Sequence, residues 1–392
     1  MKFAARVMNL QPSAIREILK FTSQPGIIPF AAGNPAPEAF PVEAVREISA
    51  RILADEAVDT LQYGVSEGYE PLRVHLKAYM RNHHDSFRDD DELIITAGAQ
   101  QVMDLAAKSL CDEGDAVICE SPSFIGSLNA FRSYGLKLRG IPLEADGMDL
   151  NVLESALKTE KRARFIYTIP NFQNPAGVTL SRQKRADLYA LARRYDMLIL
   201  EDNPYGDIRF AGEHIPPIKS LDTDGRVIYA GSFSKVLSPG LRVGYADAPA
   251  EIIHKMTVCK QVSDVHTPNL SQRIADEFMF GTDFEAHLTR IRGIYRKKAG
   301  LMMELADRYF VPRVTYHPVE GGLFLWCRLP DSTDVPAFCL EALQNKVAVV
   351  PGSAFLTDES ERCPYVRLNF STPTDAQIAE GMEILGKLLA EE

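Results

Sequence analysis

The sequence predicts an α/β fold with a second, smaller α+β unit, and three observations carry that prediction. From about Glu92 to Ala248 one theme recurs, a short β-rich apolar run followed by a loop and an amphipathic helix. Most of the runs lack polar alternation, as strands buried on both faces do. From about Thr282 the texture changes to a long charged helix followed by scattered strand candidates.

The runs are Leu93 to Thr96, Ala116 to Cys119, Leu138 to Ile141, Arg164 to Thr168, Met197 to Leu200, Val227 to Ala230 and Arg242 to Ala246. Between them, Gln100 to Leu110 sets Met103, Ala106, Ala107 and Leu110 on one side of a helix, and Arg182 to Arg194 does the same with Leu188, Leu191 and Ala192. Asp149 and Ser181 stand where N-caps belong, because a short side-chain oxygen there accepts from a free first-turn amide. In the second unit, Gly321 to Trp326 and Ala348 to Val350 read as strands and Asp375 to Leu389 as the final helix. Neither an internal repeat nor a low-complexity tract interrupts the chain, so the two parts are expected to pack closely.

Composition narrows the function classes. The 392 residues carry 43 Lys and Arg against 53 Asp and Glu, a net charge of −10 with no basic tail. That argues against bulk attraction to nucleic acid or an anionic membrane. The start, Met1-Lys2-Phe3-Ala4-Ala5-Arg6, meets a second charge before an apolar leader develops, and no run reaches transmembrane length, so a cytoplasmic protein is expected. Six cysteines are scattered without CxxC pairs or metal-ligand spacing, so reduced thiols, mostly in the core, are expected and a metal site is not.

The segment Ser232-Phe233-Ser234-Lys235, with Arg242 seven residues beyond the lysine, follows a strand directly. Its two hydroxyls and guanidinium suit a dianionic phosphate and leave one amine free to react; the same residues also suit a solvated surface loop. Upstream, Asn171-Phe172-Gln173-Asn174-Pro175-Ala176-Gly177 follows one strand and Glu201-Asp202-Asn203-Pro204-Tyr205 the next. Asn-Pro-Ala-Gly, Asp-x-x-Tyr and Ser-x-Ser-Lys-x6-Arg, in that order, resemble the pyridoxal-phosphate aminotransferases of class I/II, fold type I. Within them, the chain is most similar to the branch holding α-aminoadipate, kynurenine and aromatic aminotransferases. Gln62 to Gly68, Thr96 to Gln101, Asp264 to Thr267, Pro351 to Phe355 and Tyr365 to Arg367 extend the match from about Phe30 to Ser371.

The resemblance implies a large domain with a mostly parallel seven-stranded sheet plus a smaller α+β domain. It divides the chain into 1–44, an N-terminal segment of the small domain and substrate cap, 45–285, the cofactor domain, and 286–392, the small domain. It implies pyridoxal 5′-phosphate as cofactor, held covalently by Lys235, with Asp202 against the ring nitrogen and Asn174 and Tyr205 on the ring's 3′ oxygen. Lysine suits that place because, unlike arginine, it can give up its proton. Lys235, Asp202 and Tyr205 would be catalytic. Phe124 matches the ring-stacking aromatic, where many relatives carry Tyr, so one hydroxyl contact is absent. Gly98, Ala99 and Gln100 would offer the phosphate a helix N-terminus, Ala99 through its backbone alone, with Ser232, Ser234 and Arg242 completing the cup. Tyr63 would reach the phosphate from the neighbouring subunit of a homodimer.

For substrates, the resemblance implies an amino acid and a 2-oxo acid, with Arg367 on the α-carboxylate and Gly33 and Asn174 beside it. Arg16 lies off the apolar face made by Ile15, Ile18 and Leu19, which suits a solvated arginine; in the resembling branch this stretch folds over the substrate, where an arginine can meet a distal carboxylate. The same constellation suits a β-lyase or decarboxylase, since the site decides which bond at Cα breaks. An effector domain of a transcription regulator is a further alternative, against which stands the fold's start within about 30 residues of Met1.

Overall fold

The computed structural model describes residues 4–8 and 26–391. Every strand run expected between Glu92 and Ala248 forms a strand: β1 (Asp91–Thr96), β2 (Ala116–Ser121), β3 (Lys137–Glu144), β5 (Ala163–Thr168), β6 (Leu198–Asp202), β7 (Val227–Ser232) and β8 (Gly244–Pro249). An eighth, β4 (Gly147–Met148), folds back on the end of β3, pairing Leu143 with Met148. Two residues are too short to leave a periodic signal. The sheet order is β1-β8-β7-β6-β5-β2-β3-β4. Strands β7, β6, β5, β2 and β3 run parallel, while β8 lies antiparallel to both β7 and β1.

Side chains alternate across the pleat and feed two cores. Ile118, Ile166 and Ile199 face helices Leu150–Thr159 and Arg182–Arg194, whereas Val117, Phe165, Tyr167 and Leu200 face helices Ala99–Leu110 and Ile125–Ser133. The expectation of burial on both faces fails at β3, whose outer residues alternate with solvent because its only outer neighbour is two residues long. Both expected caps form: Asp149 accepts from the amides of Asn151 and Val152, and Ser181 from that of Lys184.

A second sheet, in the order β11-β12-β10-β9, is antiparallel throughout: β9 (Thr315–Tyr316), β10 (Phe324–Arg328), β11 (Val350–Pro351) and β12 (Tyr365–Asn369). Helices Phe284–Tyr309 and Asp375–Glu391 pack against each other beside it. Ile28 bridges to Val347, and the amide of Asn369 donates to Phe30 O, which carries residues 28–33 past β12 toward the end of the large sheet. Among the described residues no helix is long and apolar enough to cross a membrane. All six cysteines are free thiols, four of them buried.

Candidate active site

The C-terminal ends of adjacent parallel strands gather the chemistry-bearing residues, the usual ligand position in an open α/β sheet. Strand β5 runs into the Asn171 to Asn174 loop, β6 ends on Asp202, and β7 runs into Ser232 and Lys235; β5 pairs with β6 and β6 with β7, with Asp202 opposite Ala230. From the second sheet, β12 brings Arg367 to the same place.

Asp202 is buried, and its two oxygens differ. Oδ2 accepts from the Tyr167 hydroxyl at 2.8 Å, whereas Oδ1 is enclosed with no hydrogen-bond partner. Burial pushes this carboxyl up to about 7, and the Tyr167 hydrogen bond opposes that shift. A buried carboxylate oxygen without a donor is costly unless a ligand supplies one.

Lys235 Nζ donates to Gly33 O at 2.8 Å. Burial first, then the positive charges of Arg367 and Arg242, bring this amine down to about 8, so about a tenth of it is uncharged at pH 7.

Helix Ala99–Leu110 opens on Gly98, with φ +77°, no side-chain cap and no acid in its first turn. Its first amides are therefore offered to an anion. Arg242, itself left-handed at φ 55°, donates to Ala97 O at 2.9 Å and packs so close to Gly98 that a Cβ there would lie 2.4 Å from Nη2. Gly244, cross-strand from Ser232, is equally tight: its Cβ would lie 2.7 Å from the Ala99 amide nitrogen. Helix terminus, Arg242 and Ser232 thus close on one another, and the Ser234 amide donates to Ser232 Oγ. The Gln100 side chain donates instead to Gly126 O at 2.9 Å, tying this helix to the turn that carries Phe124.

The Arg367 guanidinium carbon lies over two phenyl rings, 4.2 Å from the centre of Phe324 and 4.9 Å from that of Phe355. Nη1 donates to Asn174 Oδ1 and Nη2 to Ala31 O, each at 2.9 Å, while Nε is buried with no partner. Burial lowers it to about 10, which leaves it a cation. Tyr205 stands edge-on to Phe324, and burial pushes its hydroxyl up.

Lys235 and Gly33, part-buried, thus meet the buried Arg367, Asn174, Tyr205 and Asp202 in one group, with the anion cup beside it. Tyr63 is not brought to it within the chain: it is 81% exposed, edge-on to His266. Arg16 lies outside the described residues. A nearby groove of about 660 Å³, bounded by Leu143, Ala176, Trp326 and Tyr365, contains none of these groups.

Sequence reasoning missed the supports. Tyr167 and Ser127 stand behind Asp202. Glu120 accepts from Thr168 Oγ1, Ile169 N and Gln173 Nε2, shaping the loop that ends in Asn174. Arg185 donates to Asn171 Oδ1, and Asn171 to Asn203 Oδ1, which clamps the Asn174 and Asp202 loops together. The available signal was a polar tip in an otherwise apolar strand, since buried Tyr and Glu need partners.

An amine poised to lose its proton, a carboxylate with one open oxygen, an anion cup and a buried guanidinium suit covalent chemistry on a phosphorylated group beside a carboxylate-bearing substrate. The comparisons agree with that chemistry. Residues 25–385 match the family described as Aminotransferase class I and II. The chain is 37% identical to aromatic-amino-acid aminotransferase 1 of Thermococcus litoralis, over 100% of this chain and 94% of that protein. It is 39% identical to the 2-aminoadipate transaminase of Thermus thermophilus, over 97% and 94%. Among solved structures it superposes with a TM-score of 0.91 on the α-aminoadipate aminotransferase of Thermus thermophilus complexed with N-(5′-phosphopyridoxyl)-L-leucine, at 38% identity and covering 99% and 97% of the two chains. This chain belongs to the class I and II aminotransferase family.

Proposed function

We propose that this aminotransferase binds pyridoxal 5′-phosphate in the site described above and moves the α-amino group of an aromatic amino acid or 2-aminoadipate to 2-oxoglutarate. The observation that carries the reading is the enclosed, unpartnered Oδ1 of Asp202, on the same sheet edge as the low-pKa amine and the anion cup. A protonated ring nitrogen supplies the missing donor, and a phosphate suits the helix terminus and Arg242. Bound there, pyridoxal phosphate supplies an electron sink for the pair left on the substrate's Cα.

The chain's own residues supply the rest. Lys235 would hold the cofactor covalently, and its amine, when free, would carry the proton at the substrate's Cα. Asp202 keeps the ring nitrogen charged. Asn174 and Tyr205 would hold the ring's 3′ oxygen, Phe124 would pack on the ring, and Ser232, Ser234, Gly98, Ala99 and Gln100 would hold the phosphate. Arg367, packed over two phenyl rings, receives the α-carboxylate, with Gly33 beside it. Residues 45–285 form the cofactor domain and 286–392, with 1–44, the small domain, a division supported by the Ile28 to Val347 bridge.

A homodimer completes the site, with Tyr63 reaching the partner's phosphate. Supporting this, Val58, Leu61, Tyr63, Val65 and Val262 are each at least 60% exposed, an apolar display costly for a monomer. Sedimentation at assay concentration is expected to give a dimer; a fully active monomer would refute it.

Substrate class is tested with a panel of amino donors and 2-oxoglutarate, reading glutamate and the new oxo acid together. Equal yields of both from phenylalanine, tyrosine, kynurenine or 2-aminoadipate are expected; ammonium without glutamate would mark a lyase instead. Arg16 is proposed to meet the distal carboxylate of acidic donors. Arg16→Ala is expected to cost 2-aminoadipate about 1.5–3 kcal/mol in kcat/KM, the scale of a charge-assisted hydrogen bond, and to spare phenylalanine. Equal losses for both donors would remove Arg16 from that role.

A further inference from the structure

Behind Asp202 stands a side chain that the proposed reaction does not itself use. Tyr167 projects from β5 onto the face covered by helix Ile125–Ser133, fully buried, its ring edge-on to Phe131 at 5.4 Å. Its hydroxyl lies 2.8 Å from Asp202 Oδ2 and 2.8 Å from Ser127 Oγ, which is also buried. A phenol has one proton to give. The hydroxyl is placed to donate to either oxygen, and its single proton favours the stronger acceptor, the Asp202 carboxylate, while Ser127 Oγ remains as a second polar contact that fixes the place of the phenol oxygen.

We propose that Tyr167, oriented by Ser127, is a positioning residue for Asp202: it occupies Oδ2, so that Oδ1 alone is presented to the cofactor's ring nitrogen. The inference rests on the cofactor assignment made above. Four features support it. Among the described residues Asp202 has no other hydrogen-bond donor, so the carboxylate's rotation is set by this contact. The donor is neutral: an arginine or lysine there would hold the oxygen equally well but would cancel the charge that the ring nitrogen needs, whereas a hydroxyl steadies the anion and leaves its charge intact. Burial and the negative charges of Asp202 and Glu120 hold the Tyr167 hydroxyl far above its ordinary range, so it remains a donor across the working pH range. Tyrosine also suits the span mechanically, since a rigid ring with few rotatable bonds places its oxygen with little freedom to wander.

The test uses the holoenzyme loaded with pyridoxal phosphate labelled at the ring nitrogen, whose magnetic resonance signal reports that atom's protonation. Tyr167→Phe keeps the ring in its core packing and deletes only the hydroxyl. The ring-nitrogen signal is expected to move toward the unprotonated position. With 2-aminoadipate as donor, kcat is expected to fall about tenfold to a hundredfold, the cost of losing an orienting partner, while KM moves by less than about threefold because Tyr167 does not reach substrate. Ser127→Ala should shift the signal in the same direction by less. A folded, loaded Tyr167→Phe enzyme with the parent's signal and a kcat within about twofold of the parent would overturn the inference. Should Tyr167→Phe fail to fold, Ser127→Ala decides alone: an unchanged ring-nitrogen signal overturns it and a shifted one supports it. A parent protein that gains no visible absorbance on adding pyridoxal phosphate would overturn the cofactor assignment as well, which keeps the two failures distinct.

Discussion

Lys235→Ala is expected to abolish amino transfer while leaving pyridoxal phosphate able to bind non-covalently. In the proposed mechanism two roles converge on one nitrogen, attachment of the cofactor and carriage of the Cα proton. Loss of a positioned general base alone removes about 10²–10⁴ in rate, and loss of the nucleophile compounds it. In the proposed site, phosphate affinity would reside elsewhere, in the helix terminus at Gly98, in Arg242 and in Ser232, none of which the substitution touches. Lys235→Arg should be equally inactive, because a guanidinium stays charged. The parent's pH behaviour follows from the same burial. Its amine is half uncharged near about 8, so covalent attachment to the apoprotein should slow about tenfold for each pH unit below that value and level off above it. Turnover by purified Lys235→Ala without added amine, or attachment at a pH-independent rate, would remove Lys235 from this role.

Asp202→Asn carries the second large effect. The amide keeps the shape and can still accept from Tyr167, but it cannot hold a charge against a protonated ring nitrogen. Removing one preorganised electrostatic partner costs about 3–4 kcal/mol of barrier, or 10²–10³ in rate. Occupancy should change far less, since the phosphate cup and Lys235 are intact. Single-turnover deamination, followed with an amino donor in excess, is the measurement. A rate within a few-fold of the parent would show that the charge of Asp202 does not assist the chemistry.

Much of the fold was legible because burial leaves a local imprint. Strands β1, β2 and β5 to β8 are covered along most of their length and read as largely apolar runs, and Ser181 and Asp149 cap helices through contacts two or three residues away. Strand β3 kept an apolar signal only around Ile141, because its outer edge meets solvent. Strand β4 was too short to register at all. In the site, Lys235, Asp202, Asn174 and Arg367 were legible as motif residues, while their supports, Tyr167, Ser127 and Glu120, looked like ordinary members of a strand or helix.

By itself the sequence determined the alternation of strands and helices, the caps, the family, and which loops carry an amine, a carboxylate and a guanidinium. Only the tertiary structure decided what those groups are chemically. The open oxygen of Asp202 depends on a phenol 35 positions away, and the plane and partners of Arg367 on Asn174, 193 positions away, and Ala31, 336 positions away. The reason is physical. Periodicity records which side of a helix or strand faces the core within a few residues, whereas desolvation, orientation and the choice of hydrogen-bond partner are set by whichever atoms the fold brings within about 3 Å. The Lys235 amine is drawn down to about 8 because β7, β12 and the stretch around Gly33 meet around it, a condition no local pattern records.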